Sequence, residues 1–488
     1  MKIFPNIALN KKFFFCLLFL YLIIAINSVP YHYNLFPINP KDLIRIIIGY
    51  SPFVTIILCS IFLYFNKAKF EFKKINIFLL IYILCIFFQL PALVISDQII
   101  FTHGIYWIIA TISLPIFLIS ISTLQNNIII NLLNITLFIF FILTMFFLFR
   151  LFYDLLLSPV VSFSFYGAET LDPNKRFLDA PVPRSSGMSR FSVVFFILFH
   201  QISKYTEKNN SFLKKFSFVL SIFFLFCVIH FQSRLTIGFV IIYGIFNIIP
   251  FLHQESFKEL IKKIFILYFF ALLLQLSFPL IQAKIKFDYL EVQKENKFIH
   301  PTLVPITDLL IVKNKIDEET ETNLESDFDK KISKHNSEIE ISKTLQIYIS
   351  KSVVGRLNSN FNNSGRIDLW KKSFDIFKTS PIIGKGPFAD RIYIGENVSN
   401  MYFYSLISGG ILSFIAILSL SIYIFVRCFQ EVIFNLEFKK SGNLHKKISL
   451  YFLGYFIFRS ITENSYIIFS IDYFLVLLSS YFLINNQK

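Results

Sequence analysis

Along this chain apolar stretches recur in blocks, each closed by Lys, Asn or Pro. A bilayer core roughly 30 Å thick takes about 20 apolar residues per helix. Runs of that order lie near 13–29, 44–65, 75–96, 99–121, 128–150, 190–203, 216–232, 235–252, 264–282, 402–427, 449–462 and 465–485. The pattern predicts an all-α polytopic membrane bundle of about 12 transmembrane helices. The 190–203 and 449–462 runs are short, so they are expected to tilt or to borrow neighbouring residues. The first run follows Lys11 and Lys12, but no small-residue cleavage site follows Ile26-Asn27-Ser28, which predicts a signal anchor.

The polar segments between the runs set the orientation. Lys67, Lys69, Lys73 and Lys74, then Lys204, Lys208, Lys214 and Lys215, then Lys258, Lys262 and Lys263, then Lys439, Lys440, Lys446 and Lys447 fall in alternate loops. Basic loops stay in the cytoplasm, so both termini are expected there. Two outer segments are long, 151–189 and 283–401. The predicted organisation is therefore helices 1–9 over 1–282, a large periplasmic loop over 283–401 between helices 9 and 10, and helices 10–12 over 402–488. Within the loop, 317–340 is dense in acid and poor in aromatics, the composition of a solvated stretch. Behind it, Ile367, Trp370, Phe374 and Phe377 share one helical face from Arg366 onward, an amphipathic helix stopped by Pro381. Gly384-Lys385-Gly386-Pro387 makes the turn after it.

Composition removes several classes. The chain is 55% hydrophobic with a mean hydropathy of +0.62, beyond the range of an ordinary soluble domain. Its formal charge of +16 resides in short loops between apolar helices and addresses anionic lipid; no nucleic acid is expected. The 64 Phe are read as lipid-facing filling. Five cysteines lie in or beside apolar runs at spacings that match no metal motif, so neither a metal nor a disulfide is expected. No cofactor is indicated.

The cations are partitioned by type. Of 11 arginines, all but Arg427 fall on the predicted outer side, whereas the inner loops are almost purely Lys. Topology signalling accepts either residue and does not explain the split. Arg presents a planar fork that grips phosphate oxygens in pairs, so an outer ligand bearing phosphate is expected. Arg234 and Arg459 lie in or beside apolar helices, where a charge costs roughly 2.5–3.5 kcal/mol. Glu463 stands one turn after Arg459, and a structural ion pair is the plain alternative there. Arg184 precedes Gly187, whose missing side chain admits a ligand to the backbone. Arg190 follows on the same segment. His230 lies one turn before Arg234; a satisfied core histidine is the competing reading.

The stretch Ser364-Gly365-Arg366 through Trp370, then Pro381-Ile382-Ile383-Gly384-Lys385-Gly386-Pro387, Ser399-Asn400 and Gly409-Gly410, resembles the O-antigen ligase and polymerase superfamily. The Arg184-x-x-Gly187 segment, the Ser233-Arg234 pair and the Arg459 to Glu463 segment are similar to that family as well. The resemblance implies a fold like that of metal-independent GT-C glycosyltransferases. It also implies an undecaprenyl-diphosphate-linked oligosaccharide as donor and a glycan or lipid A-core as acceptor, with membrane lipids and a chain-length regulator as further partners. Arg184, Arg234 and Arg366 would hold the donor diphosphate, supported by Arg190, Arg459, Glu463 and His230. Gly187, Trp370, Pro381, Gly384, Gly386 and Asn400 would form the loop motif. The family's ligase branch carries a His-Asn pair where this chain has Ser399-Asn400, which favours a polymerase of the bacterial inner membrane over a ligase. A polysaccharide flippase or transporter is the further alternative; related halves or helices broken at matching positions would mark a transporter, and neither is evident in the sequence.

Overall fold

The computed structural model describes residues 53–61, 63–64, 83–95, 101–122, 126–157, 185–205, 210–231, 233–248, 257–296, 366–433 and 444–461, with 475, 476 and 479. Among these residues the fold is entirely helical, with no strand. After a helical stretch at 53–61, the helices are α1 (83–87), α2 (Pro91–Ile95), α3 (Phe101–Ser122), α4 (Asn126–Leu157), α5 (Ser185–Tyr205), α6 (Ser211–His230), α7 (Arg234–Ile248), α8 (Phe257–Asn296), α9 (Arg366–Thr379), α10 (Met401–Ile433) and α11 (Leu444–Ser460). A single π-helical turn lies at Asp390–Ile394. Stretches of α6, α8 and α10 (Ser211–His230, Lys258–Phe278 and Met401–Glu431) are long and apolar enough to cross a membrane, as a helical membrane protein requires. The first and last of the twelve expected spans lie wholly or largely outside the described residues.

The bundle is held by α5, which packs most extensively on α6 and also meets α4, α7 and α11. Phenylalanine does more here than face lipid. Phe191, Phe195, Phe196 and Phe224 are fully buried. Phe140 of α4 meets Phe191 edge-on at 4.4 Å, and Phe195 of α5 lies 5.4 Å from Phe224 of α6. Ring pairs in these geometries add about 0.5–1.5 kcal/mol each beyond area burial. Other rings, among them Phe138, Phe149 and Phe265, are exposed on the bundle surface, the arrangement expected for lipid-facing positions.

Several expected boundaries move. Helix α5 starts at Ser185, ahead of the predicted 190, so Gly187 lies in the first helical turn and not on a loop. The short run is thereby brought to 21 residues. Helix α8 continues to Asn296, carrying the chain 14 residues into the segment expected to be loop, since 296 minus 282 is 14. The predicted 75–96 helix is interrupted: a turn at 88–90 separates α1 from α2 ahead of Pro91, whose ring cannot donate to the preceding turn.

Helix α10 is also interrupted, at Gly410, whose φ of 65° and ψ of −159° are closed to side-chain-bearing residues. Its 33 residues would measure about 50 Å, well beyond one bilayer core. The 23 residues from Ile411 to Ile433 measure about 34 Å. The far end carries Arg427, Gln430 and Glu431, with Glu431 paired to Lys446 at 3.0 Å. The apolar span thus fits the part after the break, while Tyr402 Oη donates to Ser421 Oγ at 2.9 Å, so Met401–Gly409 doubles back beside the start of that span and forms, with α9, a cap on its flank.

Candidate functional site

The cap is built around the break in α10. A broken helix frees backbone groups, each costing several kcal/mol if left unpaired in apolar surroundings. Here another stretch of the same chain takes them. Lys385 N donates to Ile407 O at 2.7 Å, Gly386 N to Ser408 O at 2.8 Å, and Ile411 N to Pro381 O at 2.8 Å. The 381–386 turn is closed on itself by Gly384 N donating to Ser380 O at 3.0 Å and Ser380 Oγ donating to Gly384 O at 2.7 Å. A methyl group on Gly384 (φ 75°) would stand 2.6 Å from Ser408 and Gly410 backbone atoms, and one on Gly410 would strike the Ile382 carbonyl. The Gly384-x-Gly386 and Gly409-Gly410 pairs are two halves of one joint.

Helix α9 leads into this joint along the outside of α10. Trp370 stacks on Phe403 with ring centroids 5.5 Å apart, and its Nε1 donates to Val398 O at 3.3 Å. Beyond the turn, the chain returns through Asp390, which is buried. Its Oδ1 accepts from Arg391 N at 2.9 Å and its Oδ2 from Val398 N at 3.4 Å. Burial pushes the carboxyl up from its ordinary 3.8, against the pull of those two N–H groups. Phe388 and Ser399 hold positive φ on either side of it.

Asn400 then starts α10 as a cap. Its Oδ1 accepts from Tyr402 N at 2.9 Å and Phe403 N at 3.1 Å, while its Nδ2 donates to Ile461 O at 2.6 Å. The last bond ties the cap to the chain just past Arg459. Asn400 is therefore a positioning residue, with its amide committed to backbone.

The other arginines reach the same end of the bundle by a different route. Ser189 Oγ and Thr236 Oγ1 lie 2.6 Å apart, joining α5 to α7. Arg190 is the next residue on one helix, and Arg234 opens the other. Gly238, one turn into α7, faces the Phe458 ring of α11, next to Arg459. Arg190 and Arg459 are buried, and the Arg190 guanidinium lies 4.6 Å from the Phe191 ring centre. Three arginine-bearing helix ends thus meet, with Asn400 bonded to one of them. Arg366 is half-buried at the start of α9. Arg184, Glu463 and the Arg234 side chain lie outside the described residues.

His230 closes α6, four residues before Arg234. Its Nδ1 lies 3.0 Å from Gln275 Oε1 on α8, and Phe278 packs edge-on at 4.8 Å, with Phe152 and Phe226 also against the ring. This is a caged core histidine. His200 sits about 16 Å along α5 from Ser189, in a polar group at the opposite end of the bundle. There the Tyr243 hydroxyl lies 2.6 Å from both His200 Nδ1 and Gln201 Nε2, and Lys204 Nζ donates to Asn247 Oδ1 at 3.3 Å.

Sequence reading missed Gln89. It lies in the interruption between α1 and α2, is buried, and its Cγ would be 3.0 Å from a methyl on Gly409. Beside it Ser413 Oγ donates to Cys85 O at 2.9 Å. The breaks in two helices therefore lie against each other. Pro91 within an apolar run was the available signal. No protein-family model, characterised protein or solved structure matches the chain.

Proposed function

We propose that this chain is a glycan polymerase of the bacterial inner membrane, a metal-independent glycosyltransferase joining undecaprenyl-diphosphate-linked repeat units at the periplasmic face. An acceptor hydroxyl attacks the anomeric carbon of the donor glycan as the bond from that carbon to the diphosphate oxygen breaks. The hydroxyl proton passes to water at the periplasmic mouth, and the lipid diphosphate departs with its electron pair. Arginine forks at Arg184, Arg234 and Arg366, with Arg190 and Arg459 behind them, stabilise the charge growing on the leaving group. One observation carries this reading: the meeting of the Arg190, Arg234 and Arg459 helix ends, with Asn400 of the cap bonded beside Arg459.

Transfer of a finished polymer to lipid A-core is the ligase alternative. It is disfavoured by Ser399 at the position where the ligase branch has a histidine. A lipid-linked oligosaccharide transporter is a second reading, favoured by the two interrupted helices meeting at Gln89 and Gly409, because discontinuous helices line many transport sites. Gene deletion followed by gel analysis of cell-surface glycan separates the three. Single repeat units on an otherwise normal acceptor are the expected result. Bare acceptor with accumulated lipid-linked polymer identifies a ligase. Lipid-linked single units trapped on the cytoplasmic side identify a transporter and overturn the polymerase.

A further inference from the structure

Between α9 and the start of α10 runs an apolar groove of about 560 Å³, lined chiefly by Ile367, Trp370, Phe374, Phe403, Leu406 and Phe414. Its polar residues are Lys371, Asp375 and Tyr402; the charge of Asp375 is offset by Lys378 at 2.9 Å, and the Tyr402 hydroxyl is committed to Ser421 Oγ at 2.9 Å. Among the described residues, Lys371 is thus the cation left to the rim of the groove. The floor continues into the membrane-crossing part of α10. Phe414 stands one turn from Ile411 and from Leu418, and Ile411, Ile415, Leu418, Ile422 and Phe425 form one exposed apolar stripe along that helix. Helix α9 itself is amphipathic, with Arg366, Lys371, Lys372 and Lys378 among its fourteen residues, the composition of a helix lying in a headgroup layer.

We propose that this groove seats the hydrocarbon chain of an anionic phospholipid, with its phosphate at Lys371. The stripe below the groove is where α10 meets lipid, so a chain lying on it runs upward into the groove without leaving the bilayer. Asn400, at the start of the groove-lining part of α10, bonds Ile461 O just past the end of α11, which puts the groove beside the outer end of that helix, where hydrocarbon gives way to headgroups. An isolated cation beside an apolar slot at that level matches a phosphodiester followed by an acyl chain. A single ammonium near the surface raises the local preference for anionic over zwitterionic lipid by roughly fivefold. The inference is independent of the enzymatic reading, since it uses only the membrane crossing and the groove.

The chain has two tryptophans, Trp107 and Trp370, which makes the test direct. Trp107→Phe leaves Trp370, in the groove wall, as the single reporter. The full-length protein is reconstituted into vesicles of phosphatidylglycerol or phosphatidylcholine carrying bromine near the headgroup end of the acyl chain. Strong quenching of Trp370 fluorescence is expected, with brominated phosphatidylglycerol preferred by roughly fivefold in mixed vesicles. Lys371→Glu should abolish or reverse that preference. Lys372→Glu, on an exposed neighbour outside the groove, should leave it within about twofold of the parent, since exposed charges away from a ligand are largely screened. Absence of quenching means that protein, another helix or a second copy, fills the groove, and overturns the proposal. Quenching without headgroup preference, or equal effects of the two substitutions, also overturns it, as does displacement of the brominated lipid by a polyprenyl phosphate at trace levels.

Discussion

Single glycines carry unusual weight in the cap. Gly384, Gly395 and Gly410 all hold positive φ, but only Gly384 and Gly410 also have backbone atoms where a methyl would go; around Gly395 there is open space. Alanine at Gly395 should cost about 1–2 kcal/mol, the price of the left-handed conformation alone. Gly384→Ala and Gly410→Ala should cost more, by at least about 2 kcal/mol further, because main chain cannot move aside cheaply. Thermal unfolding of the detergent-purified variants measures this, and equal losses at all three positions would refute the joint described above. Asp390 supplies a pH signature. Its carboxyl is raised in the folded state by burial, so the fold binds its proton more tightly than the unfolded chain does. That contribution is full below the ordinary carboxylate range and is lost as pH rises through the raised value. Asp390→Asn should therefore flatten the fall in melting temperature as pH rises above the ordinary carboxylate range, relative to the parent. A pH profile unchanged by the substitution would place the carboxyl in a more hydrated setting.

At the scale of elements, the central feature is a helix that is broken but not left unpaired. The stretch 381–386 replaces the hydrogen bonds that Gly410 interrupts, so α9, its turn and the first part of α10 behave as one body. Single cysteines in a background lacking the native cysteines test where that body meets the membrane. Cysteines at the exposed Arg391 and Glu396 should react with a membrane-impermeant thiol reagent, and cysteines at the exposed apolar Ile422 and Phe425 of α10 should not. Protection of all four positions would mean that the cap is submerged. Asn400→Ala removes two acceptor bonds at the helix start and the donor bond to Ile461 O. A loss of about 1–2 kcal/mol is expected from the cap itself, readable as a lower melting temperature.

Across the whole molecule, the two ends of the bundle are chemically different. Arg190, Arg459 and the start of α7 gather at one end, while Lys204, Tyr243, Asn247 and Lys447 gather around α5 and α11 at the other. If the first end grips a diphosphate, Arg234→Lys and Arg459→Lys should reduce polymer formation by about tenfold or more, because charge is kept while the paired geometry is lost. Melting temperatures close to the parent would separate that loss from misfolding. Full polymer formation in both variants removes the diphosphate from this account.

Hydrophobic runs and Lys-rich loops determined that this is a helical membrane protein, because spanning length and burial of backbone polar groups leave little choice of structure. The spacing of Ile367, Trp370, Phe374 and Phe377 likewise determined α9, which begins at Arg366 as predicted. Tertiary structure alone decided the breaks. Nothing local distinguishes Gly409-Gly410 within an apolar run from a pair of glycines in a continuous helix; the difference is a turn earlier in the chain that supplies replacement hydrogen bonds across 22 or more residues. The same holds for Gln89 against Gly409 and for the cage around His230, since both arise between segments far apart in the chain. A short-range pattern records which face of a helix is apolar, but the partner that covers that face is chosen by the packing of the whole bundle.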